Sequence, residues 1–197
     1  MVVGIAPVLI ALLSFILRLA DLGRVKGFIF DEVYYVDGAR DLLKYGVEVA
    51  GSKPEFIVHP PLGKWLIGLG IQVFGDTGFG WRFTTALIGS LMILLIALIA
   101  HRLFRSAVLT ALASALMAID GLALVHSRTA LLDNFLTFFV LLASYLFLTK
   151  RYWWTGFVLG LALATKWSAL YFIIAFAAIG FYRGFTHYSG RDLVKPT

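Results

Sequence analysis

Residues 82–104 read RFTTALIGSLMILLIALIAHRLF, an apolar run long enough to carry a helix through the hydrocarbon core of a bilayer. Two more such runs follow after short connections, 107–126 and 131–149, each about 20 residues and nearly free of charge. Composition extends the reading to the whole chain. Of 197 residues 60% are hydrophobic and only 14% charged, against roughly 45–50% apolar and 25% charged in an ordinary soluble domain. A soluble globule cannot hide that much apolar surface. Aqueous enzymes and disordered chains are therefore excluded, and lipid is the natural solvent.

Working outward, the N-terminal run 4–20 is preceded only by Met-Val-Val. It lacks the basic region of a cleavable signal and is read as a retained transmembrane helix. Segment 21–80 differs in kind: it holds eight of the eleven acids and most of the turn residues, including Gly51-Ser52-Lys53-Pro54 and His59-Pro60-Pro61. Within it, 33–45 and 62–74 have helical patterning, but about 13 residues cannot span, so both are expected to lie at the membrane surface. The chain is apolar again over 152–182, interrupted by Thr165-Lys166-Trp167-Ser168, and ends in a polar, basic tail, 183–197.

Charge decides the orientation. With a cytoplasmic N-terminus, Arg102, Arg105, Lys150, Arg151, Arg183, Arg191 and Lys195 face the cytoplasm against one acid, Asp192, which is the positive-inside pattern. Lys150-Arg151 and Arg183 share that side only if the chain reverses at Lys166, making two helices of 153–164 and 168–182. The expected architecture is one all-α domain, a polytopic membrane helix bundle. About six transmembrane helices are expected, with 21–80 as an outer loop carrying two short surface helices and 183–197 as a cytoplasmic tail. The excess of 17 Lys+Arg over 11 Asp+Glu then belongs to loops and membrane lipids rather than to a nucleic acid. Absence of cysteine excludes disulfides, a thiolate nucleophile and a Cys metal cluster.

Charges within or beside apolar helices are costly and mark function or pairing. On the outer side they include Arg18, Asp31, Glu32, His59, Lys64, Arg82, Arg128, Asp133 and Lys166. Acids from one loop and bases from several others at one membrane face fit a site for an anionic lipid headgroup with a general base. Each also has a plainer explanation, as an interfacial side chain or helix-end ion pair. Asp31-Glu32 sits between Gly27-Phe28-Ile29-Phe30 and Val33-Tyr34-Tyr35, where Asp31 is either a base near a lipid substrate or the N-cap of the following helix. Proline at 60 and 61 fixes the chain's approach to the next helix, with His59 available to a substrate or to Glu32. Arg128 can fork onto phosphate oxygens or pair with Asp133. No P-loop, no strand-preceded Gly-x-Gly-x-x-Gly and no His-Glu-x-x-His occurs.

Phe30-Asp31-Glu32-Val33-Tyr34-Tyr35, His59-Pro60-Pro61-Leu62-Gly63-Lys64, Ser127-Arg128-x-x-Leu131-Leu132-Asp133-Asn134 and Lys166-Trp167-Ser168 resemble, in order and spacing, the N-terminal part of the protein O-mannosyltransferases. These are polytopic glycosyltransferases of the GT-C class, and the resemblance runs from about Arg18 to Tyr182. Aminoarabinose transferases of lipid A also carry Asp-Glu in the first outer loop but usually read Lys-Pro-Pro later, so His59-Pro60-Pro61 favours the protein-directed branch. The resemblance implies transfer of mannose from a polyprenyl (dolichyl-type) phosphate mannose to Ser or Thr hydroxyls of translocated proteins, with the translocon as a place to meet them. It maps the base onto Asp31 with Glu32 supporting, and important arginines onto Arg18 and Arg82. It further implies donor or substrate contacts for His59, Lys64, Arg128, Asp133 and Lys166, and no metal or other cofactor.

The chemistry is consistent with that layout. Phosphate leaves a sugar readily, so the site needs positive charge rather than an acid at the leaving oxygen. A carboxylate on the opposite face takes the hydroxyl proton, which gives a single displacement with inversion. Family members run longer, with further helices and, in eukaryotes, an inserted lumenal β-trefoil domain; this chain is expected to be a fragment or a reduced form. The missing eukaryotic extension leans towards a bacterial plasma membrane rather than the endoplasmic reticulum, with the site on the non-cytoplasmic side. Two alternatives stand beside this reading: a GT-C transferase with a lipid or glycan acceptor, and a non-catalytic membrane subunit.

Overall fold

In a computed structural model of the chain, which describes residues 4–50, 53–54 and 58–192, apolar helices carry nearly all of the architecture. The elements are α1 (Ile5–Leu19), α2 (Glu32–Tyr45), β1 (Val49–Ala50), β2 (Lys53–Pro54), α3 (Leu62–Phe74), α4 (Gly78–Phe104), α5 (Ala107–Ile119), α6 (Gly121–His126), α7 (Leu132–Leu148), α8 (Tyr152–Leu163) and α9 (Ala169–Asp192). The two short strands pair antiparallel, Val49 with Pro54 and Ala50 with Lys53. Residues 193–197 of the expected tail lie outside the described residues, and its first part continues α9.

Helix ends follow local chemistry. Thr77 caps α4 by accepting from Gly80 N, Ser106 caps α5 by accepting from Leu109 N, and α4 stops where Arg105 turns left-handed at φ 51°. The continuous span expected over 107–126 is divided. Asp120 is extended (φ −60°, ψ 123°), ends α5, and accepts from Ala123 N at 2.7 Å to start α6. A short polar side chain that satisfies the next helix's free N–H groups makes such a break favourable.

Helix α4 is the spine, with α1, α3, α5 and α7 packed along it. Glycine permits the closest approach: a Cβ on Gly70 of α3 would collide with the carbonyl oxygen of Gly80 in α4. The core joins Val36 and Ala39 of α2, Ile67 of α3, Leu132 and Phe135 of α7, and Ala162 of α8. After α8 the chain reverses, since the Phe176 ring of α9 meets that of Phe147 near the far end of α7, 5.3 Å between centroids. Among the described residues α4 alone is long and apolar enough to cross a membrane as one helix; α1, α3, α5, α7 and α8 are apolar helices of 10–17 residues. Large apolar side chains on α1, α5, α8 and α9, such as Leu17, Val108, Trp153 and Phe181, remain exposed. So much uncovered apolar surface fits a lipid environment and not an aqueous one.

Candidate active site

The two adjacent carboxylates at the start of α2 have opposite fates. Successive helical residues point about 100° apart, and here one side chain enters the core while the other faces a cavity. Glu32 is 0% exposed. Its Oε1 accepts from Arg82 Nε (2.7 Å) and Ala130 N (2.7 Å), its Oε2 from Arg82 Nη2 (2.6 Å) and Ile29 N (2.8 Å). Arg82 spends its remaining N–H groups on the carbonyls of Leu22, Val25 and Gly27. This one pair fixes the loop before α2, the N-terminal part of α4 and the turn before α7 to one another.

Asp31 is the outward member. It caps nothing: its backbone is helical (φ −73°, ψ 0°) and its carboxylate accepts no bond from the α2 N–H groups, so the capping alternative does not describe it. Its side-chain contact is with Tyr35, one turn on, whose hydroxyl donates to Oδ2 at 3.4 Å. Burial, together with the negative charge of Asp31 and Asp133, pushes the Tyr35 phenol up to about 12. The preceding residue, Phe30, holds a left-handed φ of 54°, uncommon for an aromatic residue and costly for the backbone. That turn delivers Asp31 to the wall of a cavity of about 430 Å³, which Tyr34, Glu48, His59 and Lys64 also line. Its size is that of a small-molecule site.

Two anchors position the His59 side of this cavity. Leu62 N donates to Ala164 O at 3.0 Å, and Trp167 Nε1 donates to Val58 O at 2.8 Å, so the turn between α8 and α9 carries the segment His59-Pro60-Pro61. His59 packs beside Tyr35, with centroids 6.2 Å apart, and its buried Nδ1 has no hydrogen-bond partner. It does not bond Glu32, whose acceptors are filled. Burial and the Lys166 and Lys64 cations hold the imidazole below its ordinary value, against an opposing pull from Asp133 and Asp31. Next to it, Lys166 Nζ donates to both oxygens of Asp133, at 2.7 and 2.9 Å. Lys64 ion-pairs with Glu48 in the cavity floor.

The remaining expected residues gather elsewhere, at the end of α1. Arg18 Nε donates to Ser127 Oγ at 2.7 Å, while its Nη2 is buried without a partner. Arg128 does not pair with Asp133; it forks onto the carbonyls of Leu17, Arg18 and Ala20 at 2.8–3.0 Å. Asp31, His59 and Lys64 thus line the cavity, Asp133 and Lys166 flank it, Glu32 and Arg82 lie in the core, and Arg18 and Arg128 form a separate cationic corner. Among the described residues no three His, Asp or Glu side chains converge as a metal site would require.

Residues 58–195 match the family model described as dolichyl-phosphate-mannose-protein mannosyltransferase. The chain belongs to this protein mannosyltransferase family. It is 39% identical to the polyprenol-phosphate-mannose–protein mannosyltransferase of Mycobacterium tuberculosis over 87% of its own length. Identity is 39% over 77% of the chain for the protein of that name from Mycolicibacterium smegmatis, and 38% over 75% for that of Corynebacterium glutamicum. The chain spans 39%, 35% and 35% of the lengths of these relatives. No solved structure matches it.

In this chain, two cavity residues escape a reading of the sequence. Tyr35 had a signal, since it stands four residues after Asp31 and so on the same face of a helix. Glu48 had almost none: it is one acid among eight in the outer segment, and its partner Lys64 is distant in sequence.

Proposed function

We propose that the chain transfers mannose from a polyprenyl-phosphate-mannose to the hydroxyl of a protein Ser or Thr, with Asp31 as general base. The observation that carries this reading is the division of labour at the start of α2. Glu32 has both oxygens saturated, whereas Asp31 lines the cavity with a carboxylate that caps nothing. In the reaction Asp31 takes the proton from the acceptor hydroxyl as its oxygen bonds the anomeric carbon. The bond from that carbon to the phosphate oxygen breaks, and its electron pair leaves with the phosphate. Attack opposite the leaving group inverts the anomeric centre.

Lys166, which bonds Asp133 and lies near enough to His59 to lower its imidazole, is assigned to the departing phosphate, where a fixed cation stabilises developing charge. His59, neutral at neutral pH, lines the sugar or acceptor side. Glu32 and Arg82 act as positioning residues that aim Asp31, because neither has a free donor or acceptor to offer a ligand. Arg18 and Arg128 hold the α1 corner.

A GT-C-like membrane arrangement accompanies this reading. Six passes are formed by α1, α4, α5 with α6, α7, α8 and α9, with an N-terminus in the cytoplasm and the cavity on the other side of a bacterial plasma membrane. The uncovered apolar side chains and the cytoplasmic excess of Lys and Arg support it. The test is transfer of labelled mannose from polyprenyl-phosphate-mannose to a Thr-rich peptide in membranes bearing the chain, beside Asp31→Asn. Loss of about 100-fold or more in the variant is expected, with an inverted product linkage. Undiminished transfer by Asp31→Asn would overturn the base.

A further inference from the structure

The cavity contains a carboxylate that the proposed reaction leaves unused. Glu48 is 6% exposed, and its Oε2 accepts from Lys64 Nζ, whose side chain is also buried. Its other oxygen, Oε1, is buried with no hydrogen-bond partner. A buried, charged acceptor without a donor is costly, and its persistence beside a cavity points to a ligand that satisfies it. Gly38 keeps this corner open, because a Cβ there would lie 2.8 Å from Glu48 Oε2 and 3.0 Å from Lys64 Cδ.

The depth of the site identifies the ligand's chemistry. The rim is open, with Tyr34 69% and Val58 62% exposed, whereas Glu48 and Lys64 lie in the buried floor. An acceptor peptide crosses an open rim; a group reaching the floor has to be compact and rich in hydroxyl donors. A sugar ring meets both requirements. A hydroxyl donating to a carboxylate makes a charge-assisted bond, stronger than a neutral one, and a sugar without that hydroxyl leaves the buried charge unanswered.

We propose that Glu48 determines donor-sugar specificity, its free Oε1 accepting a hydrogen bond from one hydroxyl of the transferred hexosyl group while Lys64 orients the carboxylate through Oε2. The proposal rests on the glycosyl-transfer reading and adds to it the element that reads the sugar. Glu48 touches the sugar away from the reacting bond. It is therefore a specificity residue and not the base.

The experiment uses the full-length protein in membrane vesicles with polyprenyl-phosphate donors carrying mannose or its 2-, 3-, 4- or 6-deoxy analogue, each assayed with wild type and with Glu48→Gln. Wild type is expected to disfavour one deoxy donor by about 10- to 100-fold in kcat/KM. Glu48→Gln is expected to lose mannosyl transfer by about tenfold while the gap between that deoxy donor and mannose narrows to a few-fold. Binding of radiolabelled donors to the solubilised protein provides the same ratio for a variant too slow to assay. Equal use of all four deoxy donors by wild type overturns the proposal, and so does a Glu48→Gln loss that is the same for every donor, the mark of a structural role. Wild type that transfers no mannose from any of these donors overturns the mannosyl-transfer reading instead.

Discussion

Glu32 and Arg82 stand fifty positions apart in the chain and meet in the core through two parallel hydrogen bonds of 2.6 and 2.7 Å. Both side chains are essentially inaccessible to solvent. Such a pair is weak evidence for net stability, because desolvation offsets much of its attraction, but removing one member leaves an uncompensated buried charge. Glu32→Gln and Arg82→Met should each cost about 3–5 kcal/mol, and the double variant should cost less than their sum. Denaturant unfolding in detergent micelles measures all three. Strict additivity would show that the two groups do not depend on each other.

Arg128 holds the end of α1 by its fork. One guanidinium satisfies the carbonyls of Leu17, Arg18 and Ala20, groups that a helix C-terminus leaves without intrahelical partners. An ammonium is a point donor and cannot reproduce that spread. Arg128→Ala should lower stability by about 1–2 kcal/mol, with faster amide exchange at the end of α1, and Arg128→Lys should recover less than half. Full recovery by lysine would make positive charge alone the cause.

Helical character is legible in the sequence wherever apolar runs are long, and so is the reversal region around Lys166, because four polar residues interrupt an apolar stretch. The break at Asp120 had a signal, Asp followed by Gly, that hydropathy alone overrides. At the site, the residue pattern alone brings Asp31 and Glu32 forward together, and only the family resemblance singles out Asp31 as the base. Which of two neighbouring helical side chains faces the core depends on where Arg82 and Ala130 N arrive from elsewhere in the chain, and no local pattern carries that. Partner choice is hidden for the same reason: Asp133 takes Lys166 rather than Arg128, and Lys64 takes Glu48, through contacts that exist only after folding.

The crossing of α3 and α4 depends on glycine at 70. A methyl group there would meet the Gly80 carbonyl oxygen, backbone that cannot rotate away, whereas a Cβ at Gly160 in α8 meets nothing within 4 Å. Gly70→Ala should therefore destabilise by about 2–3 kcal/mol through overpacking. Gly160→Ala should instead gain up to about 1 kcal/mol from helix propensity. Thermal unfolding of the two variants side by side separates packing from propensity. Equal behaviour would mean that the helices do not approach closely at Gly70.

His59 provides a prediction about acid. Burial, then the cations Lys166 and Lys64, hold its imidazole below the ordinary value, with Asp133 and Asp31 opposing. The folded protein therefore takes up a proton less readily than the unfolded chain, where histidine titrates near about 6.5. As pH falls through that value the unfolded state binds more protons, so the contribution to stability is fully present above it and is lost as pH falls towards the folded value. Unfolding midpoints in detergent at about pH 7.5 and about pH 5.5 test this against His59→Gln, which has nothing to titrate there. Wild type should lose more stability than the variant between the two conditions. The same loss in both would assign the acid sensitivity to groups other than His59.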